Sequence, residues 1–383
     1  VVDPYTVQVV LKQPDATFMQ KLAFTSPAAM LSPKTVTKET VQETEKVTDV
    51  TGTSGTGPYM IAKYVPDQYV LLTAYPKYWG EAPKTKNILI KFYPDASALA
   101  LAMRSGEIDI AWRSLNPDDL NAFAKDASVQ TVKGGGGLSV RYLVFQTQLA
   151  PFDNVDVRKG LSLAVDRDEL IAKAFAGYNS PAYTMVPPGL PYSEATYPGR
   201  DLAQAKALLT KAGYTEQKPL EMNLWFDSSG HYSSKEPDVA ALIKNQLEAT
   251  GLVQVTLQPL DWGAMTQKRQ EASMGVYLLG WYPDYLDADD YITPFVKSPD
   301  NEWLGNRYND AAMNDLVAQA SLTTDDAKRA ALYQQIQTKM AEQSPLVPLW
   351  FNTLQNYAVA KPGVSGILLP PDMEIRLARL ASE

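Results

Sequence analysis

Four aspartates (Asp284, Asp287, Asp289 and Asp290) crowd into seven residues beside Trp281, Tyr282, Tyr285 and Tyr291, in the stretch VYLLGWYPDYLDADDYITPF at 276–295. A carboxylate among aromatic rings suits a cationic, partly apolar guest, because ring faces attract cations and cover methylenes. The same residue types also make an ordinary solvated acidic turn, and taken alone they leave both readings open. Residues 276–280 are an apolar run with the length and character of a buried strand. A loop leaving such a strand is where α/β proteins place ligand groups.

The remaining chemistry-bearing residues do not assemble into a reaction centre. His231 is the single histidine, in the loop SSGHYSSKE. The absence of cysteine excludes disulfides, thiol catalysis and thiolate metal sites. Asp287, Asp289 and Asp290 lack the glycine and distal glutamate of a calcium loop. No G-x-S-x-G elbow is present, and no pair of carboxylates can be placed at a glycosidase spacing from sequence. The turn cluster TGTSGTGPY at 51–59 has glycines but no Gly-Lys-Ser/Thr ending, so it is not a phosphate loop. The inventory is that of a binder that needs no metal and no cofactor, not an enzyme.

The elements that must position these residues follow from pattern. At 383 residues the chain exceeds one core, and two or more domains are expected. A net charge of −8 and the lack of a basic run argue against nucleic acid. No apolar run approaches the roughly 18 residues of a membrane span. No signal peptide is seen, which is neutral because a mature exported protein would have lost one. Strands are expected at 5–11, 58–63, 69–74, 88–93, 108–112, 140–146, 220–226, 253–257, 345–351 and 355–360. Helices are expected at 97–104, 156–165, 167–176, 201–212, 238–250, 261–272, 310–320 and 324–343, with Asp201 as an N-cap and Gly213 just past that helix's end. The strand–helix–strand order from 220 to 257 predicts a mixed or parallel sheet. Trp225 and Trp262 are read as packing residues, Trp79 as the pin of its KYWG turn, and Arg158 and Arg167 as members of ion pairs.

Several motifs then occur together and in order. They are DPYTVQVVL at 3–11, GTGPYMIAKY at 55–64 with YPKYWG at 75–80, and RSGEIDIA at 104–111. PFDNVDVRKGLSLAVDRDELI at 151–171, YPGRDLAQAKALLTKAGY at 197–214 and the GWYPDY of the opening stretch follow. Together they resemble the dipeptide and oligopeptide receptors of family 5, the extracytoplasmic solute-binding proteins of ABC importers. The resemblance implies an α/β fold: a two-lobed periplasmic-binding-protein (venus flytrap) architecture with mixed sheets, of the large peptide-receptor type. It implies a remnant of an extra small domain at 1–52, lobe I at 53–148, lobe II at 149–345 and a return to lobe I at 346–383. Members carry more than a hundred further residues before the strand matched here, so the sequence is expected to start partway along a longer chain, with any lipid anchor on the missing part.

By the same resemblance Asp284 pairs with a ligand α-ammonium, since a buried ammonium needs a carboxylate. Trp281 and Tyr285 wall the pocket, with Tyr282 in the same set. The arginine that binds the ligand carboxylate in some relatives is replaced by Leu278, leaving His231 or Lys235 to supply positive charge. Tyr59, after its glycine turn, would face the cleft. The expected partners are a short peptide or similar small solute and the permease subunits of an ABC importer, with the receptor a periplasmic or extracytoplasmic monomer. The alternatives are a same-fold receptor for oligosaccharide, metal chelate or another cationic solute, or a hydrolase or chaperone-like binder.

Overall fold

The computed structural model describes residues 2–24, 29–30, 55–372 and 374–382. Residues 51–54 of the glycine-rich turn cluster, and most of the 1–52 segment expected as a small-domain remnant, lie outside them. The chain divides into two compact units, one of residues 1–24, 139–174 and 181–351, the other of residues 25–138, 175–180 and 352–383.

The first unit is built on a mixed sheet. Its five long strands lie in the order Leu346–Phe351, Val140–Phe145, Val276–Trp281, Leu220–Asp227, Val253–Leu260. Val276–Trp281 is antiparallel to Val140–Phe145 and parallel to Leu220–Asp227, which is parallel in turn to Val253–Leu260. The central strand therefore sits where the sheet changes from antiparallel to parallel. Its residues 276–280 are all buried, as are all six of Val140–Phe145 and of Leu346–Phe351, which is why they read as apolar runs, broken only by Arg141 in the second. Leu220–Asp227 instead alternates, with Leu220, Met222, Leu224 and Phe226 inward. Helix Glu236–Glu248 makes the crossover between the two parallel strands, and helix Trp262–Gln270 leads back to the central one. Helix starts follow a common device: Asp201, Asp261, Asp310 and Asp325 each accept a backbone N–H three residues on.

The second unit holds an antiparallel sheet of Tyr59–Val65, Tyr69–Ala74 and Asn87–Lys91, and another in the order Ile110–Trp112, Tyr357–Ala360, Gln130–Lys133. Leu99 and Met103 of helix Ala96–Arg104 pack with Ala111, Leu120, Phe123 and Val359 as its core. Helix Pro117–Phe123 and strand Gln130–Lys133 carried no clear periodicity and were not anticipated.

Three expectations change. Residues 5–11 form no strand: only an Asp3–Thr6 bridge occurs, and Tyr5 is 98% exposed. Their alternation has no partner strand among the described residues to bury against. The compact units divide at 138/139 and 351/352, and strands Val140–Phe145 and Leu346–Phe351 pair within the first unit's sheet. Residues 1–24 group with the first unit too; Ala16 N–H donates to the Ser321 carbonyl at 3.0 Å. Among the described residues Arg158 and Arg167 make no ion pairs and instead donate to backbone carbonyls, Arg158 to those of Phe152, Asp153, Gln343 and Ser344, Arg167 to those of Pro198 and Pro348. Trp79 is 82% exposed; it donates Nε1–H to the Thr56 carbonyl and packs its ring on Tyr78 at 5.3 Å.

One buried ion pair ties strand to crossover helix in the first unit. Arg141 Nη2 meets Glu236 Oε2 at 2.5 Å, with side chains 2% and 0% exposed, and the guanidinium lies 3.8 Å from the Tyr232 ring centre. Gly280 leaves room for it: a Cβ there would come within 2.4 Å of Arg141 Nη1. Removing one partner leaves an uncompensated buried charge, at a cost of about 3–5 kcal/mol. Glu236→Leu is therefore expected to lower the unfolding free energy of this unit by about 3 kcal/mol or more. Denaturant titration followed by far-UV circular dichroism measures it, and a change under about 0.5 kcal/mol would remove this pair from the account of stability.

Candidate functional site

The carboxyl ends of Leu220–Asp227, Val253–Leu260 and Val276–Trp281 open on the same edge of the sheet, since the three strands are parallel. Ligand groups of α/β folds gather at such an edge. The loop after the first strand carries His231 and Tyr232, and the loop after the third carries Tyr282, Asp284 and Tyr285. Rings join them: His231 stacks on Trp262 at 3.8 Å and 4°, Tyr232 meets Trp262 edge-on at 5.3 Å, and Tyr282 lies over Tyr232 at 6.4 Å. Trp281 continues the aromatic wall against Phe295 and Trp303 at 5.2 and 5.1 Å. Desolvation lowers the His231 pKa, more than the nearby Asp227 raises it, so the imidazole is disposed to stay neutral.

The four aspartates prove to have four different environments. Asp287 is buried and takes Arg329 in a two-pronged pair, Oδ1 to Nη2 at 2.7 Å and Oδ2 to Nη1 at 2.9 Å. Its Oδ1 also accepts the Asp289 N–H at 2.8 Å, capping the single turn Ala288–Tyr291. Asp289 is buried and accepts three hydroxyls, from Tyr285 and Thr293 at 2.6 Å and Ser321 at 3.0 Å. Asp290 is buried, and its Oδ2 accepts the Trp281 Nε1–H at 3.0 Å and the Asp284 backbone N–H at 3.1 Å. Burial, with Asp284 and Asp289 nearby, pushes its carboxyl up to about 8 despite the indole hydrogen bond. Asp284 alone reaches solvent, and no hydrogen bond or ion pair among the described residues engages its carboxylate. Partial desolvation raises its pKa. Asp284 is thus the one exposed carboxylate of the four, in the loop that carries Trp281, Tyr282 and Tyr285.

The arrangement sits in a recognisable family. Residues 1–303 match the model of the bacterial extracellular solute-binding proteins, family 5 Middle. The chain belongs to that family. It is 29% identical over 380 residues to the heme-binding protein A of Haemophilus influenzae, covering 97% of this chain and 67% of that one. It is 28% identical over 379 residues to the dipeptide-binding protein of Escherichia coli, at 97% and 68% coverage. Among solved structures, it superimposes on the dipeptide-binding protein of Pseudoalteromonas sp. SM9913 in complex with Met-Leu with a TM-score of 0.83 and 25% identity, over 98% of this chain and 75% of that one. The fold is that of the periplasmic binding proteins of peptide-receptor type.

Of the residues singled out from sequence, the family 5 protein brings Trp281, Tyr282, Asp284, Tyr285 and His231 to one edge. Tyr285 does so with its hydroxyl already given to Asp289, and its ring faces Lys21 Nζ at 5.2 Å. Lys235 stands at the start of helix Glu236–Glu248 with its ammonium on Asp238 at 3.3 Å. Tyr59 belongs to the second unit, where its hydroxyl donates to the Thr85 carbonyl at 2.9 Å. Sequence reasoning passed over Arg329, Tyr232 and Trp303, and named Asp290 without a role of its own. Arg329 lies 42 residues from Asp287, and no local spacing announces such a pair.

A pH dependence follows from Asp290. A carboxyl raised from its ordinary 3.8 to about 8 binds its proton more tightly in the folded state. Its contribution to stability is full below the lower value and is lost as pH rises through the upper one. The melting temperature of the wild type should therefore fall relative to that of Asp290→Asn between pH 5 and about 9, a window set by the shifted carboxyl. Parallel curves for the two proteins would show that Asp290 is ionised throughout.

Proposed function

We propose that the protein captures short peptides with a free N-terminus outside the cytoplasm and hands them to the permease of an ABC importer. The observation that carries this reading is Asp284: in a loop whose other three carboxylates are committed to internal donors, it alone is left for a ligand cation. An α-ammonium supplies three N–H donors and a charge that aromatic rings also attract. Trp281 and Tyr282 offer apolar faces that take varied side chains without directional demands. Capture would proceed by closure about the segments that link the two units, with ligand shifting an open–closed equilibrium.

A second reading, a cationic solute without a carboxylate, is favoured by one feature. Lys235 is already paired with Asp238, and His231 has its pKa lowered, so neither is an evident partner for a ligand anion.

Both readings answer to one thermal-shift screen. Ligands that bind only the folded form raise the melting temperature with saturation. Trialanine should stabilise the wild type, N-acetyl-trialanine should not, and Asp284→Ala should weaken trialanine binding by tenfold or more, since truncating one partner of a buried charge pair removes about 2–5 kcal/mol. Stabilisation by an amine lacking a carboxylate, with no response to trialanine, would transfer the assignment to the second reading. An equal response of wild type and variant to oligosaccharide or metal chelate would remove Asp284 from the site.

A further inference from the structure

Asp290 cannot meet a ligand itself, because it is 1% exposed. What it touches is the site. Its Oδ2 accepts two N–H groups, from the Trp281 indole at 3.0 Å and from the Asp284 backbone at 3.1 Å. The first residue ends the central strand, and the second bears the free carboxylate three positions on. A single buried oxygen thus joins the aromatic wall to the cation-binding group. The turn that carries this oxygen is itself anchored, for Asp287 caps it and Arg329 grips Asp287.

We propose that Asp290 is a positioning residue for ligand capture, its Oδ2 locking the Trp281 indole and the Asp284 backbone into one unit that aims the free carboxylate. The proposal rests on Asp284 being the ligand group. The titratable groups around Asp290 are Asp284, Asp289, Tyr285 and Tyr291, while the cations Arg329 and Lys21 are engaged with Asp287 and Asp15. No second donor serves its Oδ1 among the described residues. A neutral carboxyl meets these conditions better than an ionised one, because its carbonyl oxygen still accepts both N–H groups and adds no charge beside two carboxylates. An asparagine at this position offers the same carbonyl acceptor; a leucine offers none.

The test uses the full chain with 15N-labelled tryptophan, the Trp281 indole resonance being identified by its loss in Trp281→Phe. In the wild type this N–H should be protected from exchange and its shift should titrate near pH 8, where the Asp290 carboxyl changes state. In Asp290→Asn it should stay protected without titrating, and in Asp290→Leu it should lose protection at least tenfold. Calorimetry with trialanine at pH 7 should place Asp290→Asn within about twofold of the wild type and Asp290→Leu at least tenfold weaker, a loss of about 1.4 kcal/mol. Equal protection in wild type and Asp290→Leu, or equal affinity, overturns the positioning role. Failure of the wild type to bind trialanine sinks the peptide reading alone, and indole protection then decides the role of Asp290. Should Asp290→Leu not fold, the titration of the wild type and its absence in Asp290→Asn decide it.

Discussion

Three carboxylates within four residues are buried at the end of the central strand, and a buried carboxylate must find donors or give up its charge. Each meets that demand differently. Asp287 takes a guanidinium, Asp289 takes three hydroxyls, and Asp290 takes two N–H groups and holds its proton to about pH 8. These bonds turn a seven-residue loop into a fixed scaffold. The loop ends up with one carboxylate facing outward, its conformation held by the inward three.

The sheet explains why this loop lies where it does. The central strand adjoins an antiparallel neighbour on one side and a parallel one on the other. The loop that leaves it therefore opens on the same edge as the loop holding His231 and Tyr232, and their rings interlock through Trp262 and Tyr282. Behind that contact, Tyr142 and Tyr232 both donate to the Gly280 carbonyl, at 3.3 and 3.1 Å, and Arg141 packs against Gly280 where any side chain would collide. The wall of the site is thus continuous with the core of the unit, where a rotamer change is resisted by close packing on every side.

Membership of a family whose relatives are named for heme and for dipeptides places the interest on what differs within a shared scaffold. The chemistry gathered at this edge is narrow: one outward carboxylate, rings of tryptophan and tyrosine, a histidine stacked on tryptophan, and a lysine already paired.

Much of this was legible in the residues. The apolar run 276–280, the strand at 220–226 and the aspartate cap at 201 are local signals, because burial of a strand and satisfaction of a helix end depend on neighbouring residues. The motif order identified the family, and the loop holding Trp281, Asp284 and Tyr285 stood out by composition. Residues 5–11 showed the limit: alternation marks a strand only where another strand receives it. Which of four similar aspartates faces outward was decided by tertiary structure alone. It depends on Arg329 and Ser321, 42 and 32 residues away, and on an indole nine residues back. Charge and hydrogen bonding act through space, so a carboxylate's role follows from the donors the fold brings to it, and those donors leave no mark at the aspartate's own place in the sequence.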